Sequence, residues 1–363
     1  MKNLFIVNTP FHLLTSFILS RSFFRNDDNY LALIHPHGYE KWAKNDIMAY
    51  ISSEKCGYKE VFPLINFLSS RHKTFSFKKQ VQKVQDTIGR LHIDNVFLGS
   101  DIDPQNQLLV ACLNIDKFSR YEDGLYSYYN ENRRRSKPDE IFHKLKIWGL
   151  KKSAGIKGNL YINTSTASDS KAGIADYMYK PELLQRYSPN PIAITKDQID
   201  RAINDLKKNK LLYPQIIKPS ILYLSQPLVE QKLFSIEDEL ACLQSLMKPL
   251  NKQGQILYKP HPNDSTDKIE YFHKKIPQLK IFNSIEPAEL LYAVEKILIA
   301  VVSYQSTALM YTDKFANHRI KSISLSDFAK SRMYFKYKEI MQNAGVYFPS
   351  DLEQIVQILV KEY

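Results

Sequence analysis

The sequence predicts an α/β fold built from two Rossmann-like domains, and three observations carry that expectation. At 363 residues the chain exceeds one small core and falls short of three, so two domains of roughly 150–200 residues are expected. Short apolar runs alternate with amphipathic segments from the first residues onward, the mark of helices layered on a parallel sheet. The alternation lapses in a polar, basic, tyrosine-rich stretch at 130–200 and then starts afresh, which sets a boundary near 195–220 and domains of 1–200 and 201–363.

Taken in order, "LFIVN" (4–8), "YLALIH" (30–35), "EVFPLI" (60–65) and "NVFLGS" (95–100) read as buried strands, with helical periodicity at 11–24, 39–52 and 72–91. "DKFSRYEDG" (116–124) reads as a fifth strand, and 138–148 as a helix inside the polar stretch. In the second half, strands are expected at 221–226, 255–260, 279–282, 296–303 and 319–325. Helices are expected at 236–249, 267–275, 286–293, 306–312 and 326–343, and a closing helix at 350–362 could pack back on the first domain. Asp197, Ser235 and Glu286 stand near helix starts.

Composition narrows the class. A hydrophobic share of 44% with 24% charged residues suits folded cores and argues against long disorder. The cysteines, Cys56, Cys112 and Cys242, are far apart and form no CxxC, which argues for a reducing compartment and against structural zinc or a disulfide framework. The opening "MKNLFIVNTPFHLLTSFILS" is interrupted by Asn8, Thr9, Pro10 and His12, so it reads as a strand turning into a helix and not as a secretion signal. No segment reaches the roughly 18 apolar residues of a membrane span, and a cytoplasmic protein is expected. The net charge of +12 is densest at "NENRRRSK" (130–137) and "LKKSAGIKG" (150–158); it would attract nucleic acid, anionic headgroups or acidic sugars, or serve solubility alone.

The chemistry-bearing motifs all fall at expected strand ends, where such folds bind ligands. In "RYEDGLYSYYN" (120–130), Glu122 and Asp123 crowd two carboxyls together, raising the proton affinity of one of them as a base requires, or else mark a surface turn. Gly124 permits a sharp turn and leaves room for a substrate. In "LYKPHPND" (257–264), Pro260 and Pro262 fix the backbone on both sides of His261, which could donate to an anionic leaving group or merely cap a loop; Lys259 precedes it. "VVSYQSTALMY" (301–311) brings Ser303, Ser306 and Thr307 to a strand–helix junction, a phosphate cradle or a plain cap. Ser225 and Gln226 in "LYLSQPLVE" (222–230) suit hydrogen bonds to a base or ribose.

An acidic pair with glycine, then Ser-Gln, then Lys-Pro-His-Pro, then a Ser/Thr pair before an apolar helix resembles the CMP-sialic-acid sialyltransferases of bacteria. The likeness is to the lipooligosaccharide sialyltransferases (glycosyltransferase family 52) and the capsular polysialyltransferases (family 38). "FIVNTPFHLL" is also similar to the opening strand and turn of these enzymes, which adds Asn8 and Thr9 to the substrate-binding candidates. The resemblance spans about residues 4 to 311 through short motifs in the right order. It implies a GT-B fold, two Rossmann-like domains facing each other across a cleft, with no metal or cofactor, and inverting transfer of sialic acid from CMP-sialic acid to a hydroxyl of a lipooligosaccharide or capsule glycan.

Carried over by motif, the resemblance makes Glu122 the general base, with Asp123 orienting it or the acceptor. His261 becomes the acid or clamp on the departing CMP phosphate, shared with Ser306 and Thr307, while Ser225, Gln226 and Lys259 contact nucleotide or donor. The pair here is Glu-Asp where many relatives carry Asp-Asp or Glu-Glu, which leaves open which acid is the base. The partners implied are a nucleotide-sugar donor, a glycan acceptor and the inner face of the cytoplasmic membrane, with Arg133, Arg134 and Arg135 as candidate contacts to a polyanionic acceptor or that surface. Another donor on the same fold (CMP-pseudaminic or CMP-legionaminic acid, CMP-Kdo or a UDP-hexose) is the alternative. A non-catalytic binder of nucleic acid or anionic polymer is the alternative of another class, and no nucleic-acid module is recognisable.

Overall fold

A computed structural model of the chain describes residues 1–35, 44–65, 75–129, 137–163, 167–329 and 337–360. They form two compact units, Met1–Asp205 and Leu206–Tyr363.

The N-terminal unit begins with β1 (Lys2–Val7), whose Leu4, Phe5, Ile6 and Val7 are wholly buried, as a central parallel strand demands. Then follow β2 (Asp28–His35), β3 (Glu60–Ile65), β4 (Asn95–Leu98), β5 (Phe118–Tyr121), β6 (Gly173–Met178) and β7 (Pro191–Ala193). All pairings are parallel and the strand order is β3-β2-β1-β4-β5-β6-β7. The C-terminal unit holds β8 (Ser220–Leu224), β9 (Gln255–Lys259), β10 (Lys280–Ile281), β11 (Leu298–Ser303) and β12 (Lys321–Ser324). They too run parallel, in the order β10-β9-β8-β11-β12.

Each sheet therefore grows outward from its first strand, then reverses to add the fourth on the other side. Adjacent loops at the carboxyl ends of β1 and β4, and of β8 and β11, leave in opposite directions and open a crevice there. The GT-B class is the pairing of two such Rossmann-like units in one chain, and this protein has it.

The local signals are sound where helices begin beside those crevices. Thr9 caps the helix Pro10–Arg21 by accepting the His12 N–H, and Asp103 caps Pro104–Cys112 by accepting the Gln105 N–H. Both helices open with proline, whose missing N–H costs nothing in a first turn. Ser235 and Asp238 form a reciprocal capping box at the start of Ile236–Asn251. The closing helix, Leu352–Val360, buries Ile355 and Leu359 in the C-terminal core.

Several elements depart from expectation for identifiable reasons. The helix Pro104–Cys112 was not anticipated; Gln105, Asn106 and Gln107 are buried along with its apolar residues, so it has no wet face and no amphipathic period. Strands β6 and β7 fall in a stretch read as polar; inside β6 the Asp176 carboxylate is neutralised by Arg120, 56 positions away, and by Arg186, ten positions away. The expected helix at 306–312 is a five-residue 3-10 turn, Thr307–Tyr311, running into Thr312–Phe315. Of the expected helix 326–343, only Lys338–Asn343 is helical among the described residues, and 330–336 lie outside them.

Candidate active site

In the N-terminal unit the acidic pair lies just past the end of β5, beside the crevice of β1 and β4. Gly124 adopts φ +76°, a left-handed conformation that favours glycine, and starts the 3-10 turn Gly124–Ser127. The two acids face different surroundings. Glu122 is 0% exposed and its Oε2 accepts the Tyr179 N–H at 2.7 Å, which ties the end of β5 to the segment after β6. The Asp123 side chain is 29% exposed and its Oδ1 lies 2.6 Å from Nε2 of His12.

His12 is a site residue that sequence reasoning passed over as an interruption of an apolar run. Its ring is 2% exposed and packs edge-on to Tyr121 with ring centroids 5.4 Å apart. A Cβ on Gly99, at the end of β4, would lie 2.4 Å from its Nε2, so glycine there makes room for the imidazole. The buried Nδ1 has no hydrogen-bond partner among the described residues. With no acceptor at Nδ1 and a carboxylate oxygen at Nε2, the proton that this geometry uses is the one on Nε2. His12 thus donates to Asp123 Oδ1, and Oδ2 is left to accept another proton or hydrogen bond. Of the other candidates here, Thr9 is occupied as the helix cap, whereas Asn8 donates to Asn106 at 3.3 Å and keeps a buried Oδ1 that has no partner among the described residues.

Behind the acids lies a second group that the sequence did not reveal. Arg120 on β5 donates to both oxygens of Asp176 and, at 3.2 Å, to Asp101. Arg186 bonds the same Asp176 and also the Ser127 carbonyl, and so holds the turn that follows Gly124. Burial pushes the Asp176 carboxyl up, but hydrogen bonds and charge from Arg120 and Arg186 hold it below its ordinary value. These fixed charges stiffen the strand that presents Asp123.

In the C-terminal unit the remaining motifs gather at the carboxyl ends of β8, β9 and β11. The His261 N–H donates to Asp264 at 2.9 Å, and Nδ1 accepts the Asn263 N–H at 3.1 Å. With Nδ1 accepting, the proton of the neutral ring sits on Nε2, which carries no other bond among the described residues. Burial, opposed by Asp264 and reinforced by Lys268 and Lys259, pushes the imidazole below its ordinary value, which keeps the ring neutral. The arrangement makes Nε2–H a fixed donor for an anionic oxygen.

Lys268, which no sequence motif marked, organises this edge. Its ammonium is wholly buried, 3.0 Å from Asp264 and 3.0 Å from Glu239, and donates to the Gln226 carbonyl at 2.9 Å. One side chain thus joins the His-Pro loop to the Ser-Gln strand end. Gln226 in turn accepts the Gln305 N–H at 2.8 Å through its side chain, bridging the loops after β8 and β11. Ser225 accepts from the Tyr258 hydroxyl at 2.7 Å and retains its own proton to donate.

Ser303 is wholly buried and spends its hydroxyl on the Leu224 carbonyl, a staple between β11 and β8. Ser306 and Thr307 are half-buried at the start of the 3-10 turn, and the Ser306 side chain makes no capping bond among the described residues. Pro262 is exposed beside His261.

Lys259 is buried with its ammonium on the Ser284 carbonyl; burial pushes it down to about 8 against the pull of Glu286 and Glu289. Burial pushes the neighbouring Glu289 up to about 7. A carboxyl raised from its ordinary 4.5 contributes stability below that value, and the contribution is lost as pH rises through about 7. Glu289→Gln, which keeps the shape and stays neutral, should therefore flatten the fall in melting temperature between about pH 5 and pH 8. An unchanged slope would disprove the shift.

Among the described residues, no group of three or more His, Cys, Asp or Glu side chains is placed to hold a metal, and no helix is long and apolar enough to cross a membrane. The arginines 133–135 lie outside the described residues.

Comparison with known proteins adds to this geometry. A family model described as alpha-2,8-polysialyltransferase (POLYST) matches residues 3–325, a span that includes all the motifs above. No curated protein matches. Among solved structures, UDP-GlcNAc 2-epimerase from Methanocaldococcus jannaschii is similar at 14% identity and a TM-score of 0.56, over 100% of this chain and 94% of that one. A structure of the M. jannaschii epimerase in complex with UDP-GlcNAc and UDP is similar at 16% identity and a TM-score of 0.53, with the same coverage, 100% and 94%. UDP-GlcNAc 2-epimerase from Neisseria meningitidis is similar at 10% identity and a TM-score of 0.55, over 98% and 90% of the two chains. At such identities the likeness concerns the fold alone.

Proposed function

Proceeding from the alpha-2,8-polysialyltransferase family, to which this chain belongs, we propose that it transfers sialic acid from CMP-sialic acid to a glycan hydroxyl with inversion and without a metal. The protein is a glycosyltransferase of the sialyltransferase type; donor, stereochemistry and acceptor are the proposal. The family description favours a sialylated acceptor and an α2,8 linkage, so a capsule-type polymer is preferred to a lactose-type lipooligosaccharide end. The epimerase complex with UDP-GlcNAc and UDP supports a nucleotide-sugar donor on this fold.

The observation that carries the mechanism is the unequal exposure of the two acids. Asp123, accessible and with one oxygen held by His12, takes the proton of the acceptor hydroxyl as that oxygen bonds to the anomeric carbon. The bond from that carbon to the CMP phosphate oxygen breaks, and its electron pair leaves with the phosphate. His261 donates its Nε2–H to that oxygen, with Ser306 and Thr307 as further donors. In this reading Glu122, sealed off and bonded to the Tyr179 N–H, positions the strand end, and Asp123 is the base in a pair whose roles the sequence left open. Ser225, Gln226 and Lys259 serve the nucleotide side. A place of action in the cytoplasm, at the inner face of the membrane, is part of the same proposal.

The test is CMP release from CMP-N-acetylneuraminic acid, with and without divalent metal, using sialylated and lactose-type acceptors. Acceptor-dependent release that is highest with the sialylated acceptor and indifferent to chelator is the expected result. His261→Gln should lower kcat by about 10²–10⁴-fold while CMP binding stays within a few-fold, since the donor bond strengthens as charge develops on the leaving oxygen. Release from another CMP-linked sugar or a UDP-hexose, but not from this donor, would reassign the donor. Failure to bind CMP would overturn the reading.

A further inference from the structure

The helix Lys137–Ser153, "KPDEIFHKLKIWGLKKS", carries an apolar face that the N-terminal core does not cover. It is anchored by Ile147, 1% exposed, with Leu150 packed against the same core. Ile141, Phe142, Leu145 and Trp148, by contrast, are 59%, 70%, 60% and 54% exposed. At about 100° per residue these four fall within roughly 120° of arc, on the side away from Ile147 and Leu150. Scattered exposed apolar residues need no explanation, but four large ones on one helical face do.

Charge identifies the occupant. The helix has five lysines, Lys137, Lys144, Lys146, Lys151 and Lys152, against two acids, Asp139 and Glu140. On the same helical projection Lys137 and Lys144 border one edge of the apolar face and Lys146 the other. Lys152 lies within it, its ammonium 5.6 Å from the Trp148 ring centroid. Glu140 pairs with Lys144 at 2.6 Å and stands toward the buried side. A second copy of this helix would set lysine against lysine. A soluble polyanion would pair with the cations but give four apolar side chains nothing to bury them. An anionic bilayer surface satisfies both, apolar side chains entering the acyl boundary and lysines meeting the headgroups.

We propose that the face of this helix formed by Ile141, Phe142, Leu145 and Trp148, rimmed by Lys137, Lys144 and Lys146, docks the protein on an anionic lipid surface. The arginine tract 133–135, also considered for this contact, lies outside the described residues. The proposal is independent of the donor and acceptor, because its readout requires no catalysis.

The experiment is flotation of the full chain with phosphatidylcholine vesicles, with and without phosphatidylglycerol, at low and high salt, while Trp148 fluorescence is followed. The wild type should float with the anionic vesicles at low salt and stay behind with neutral ones, and its emission should shift to the blue. Phe142→Ser with Leu145→Ser and Trp148→Ser should weaken partitioning by more than about tenfold. Trp148→Phe should still float but lose the blue shift and the quenching by brominated lipid, which keeps the test decisive if the triple variant folds poorly. The proposal is overturned if the wild type does not float with anionic vesicles, or if the triple variant floats equally well. It is overturned too if the wild type self-associates through this face without binding lipid.

Discussion

Asp123→Asn is expected to lower transfer by about 10²–10⁴-fold, the usual loss when a positioned base is removed, with little change in melting temperature. The side chain is part-exposed, and the amide can still accept the His12 N–H, so the fold loses little. Donor binding should be preserved, which places the loss in kcat. Glu122→Gln is the informative partner. Its amide oxygen can continue to accept the Tyr179 N–H, so the variant should retain far more activity than Asp123→Asn, at some cost in stability from a buried NH₂. Should Glu122→Gln instead be the inactive enzyme and Asp123→Asn the active one, the assignment made here is wrong and the first acid is the base.

Lys268→Met should be the most damaging single change in the C-terminal unit. It strands the carboxylates of Asp264 and Glu239, which are 0% and 1% exposed, without the cation that lies 3.0 Å from each. Breaking a buried ion pair from one side costs roughly 3–5 kcal/mol. The penalty should shrink at low pH. Burial already pushes Glu239 up to about 7 with Lys268 present, and without it the carboxyl takes up a proton more readily. The gap in unfolding free energy between variant and wild type should therefore narrow from pH 8 to pH 5. CMP affinity should fall as well, because Asp264 holds the His261 N–H and Lys268 holds the Gln226 carbonyl. A variant as stable as the wild type at pH 8 would show that the charges are rearranged or solvated.

The two predictions mark where sequence reasoning reached and where it stopped. Both principal motifs, Glu-Asp-Gly and His-Pro, were legible because glycine and proline announce their backbone demands locally, and the structure sets each just beyond a strand end. His12 was not legible. A single histidine in an apolar first turn has no pattern, and its meaning depends on Gly99 and Asp123, 87 and 111 positions away. Lys268 looks like one more lysine on an amphipathic helix until Glu239 and Asp264 are found around it. Ser303 shows the converse, a hydroxyl promising by position that the tertiary structure spends on the Leu224 carbonyl.

By itself the sequence determined the two-unit α/β class, most central strands and the loops that carry chemistry. These follow from hydrophobic period, cap and turn residues, which act over a few neighbouring positions. Only the tertiary structure decided which acid meets solvent, which histidine nitrogen holds the proton, and which helix face lacks a partner. Each of those depends on burial and on charges brought together from distant parts of the chain, and the free energy of burying a polar group is set by the partners that surround it.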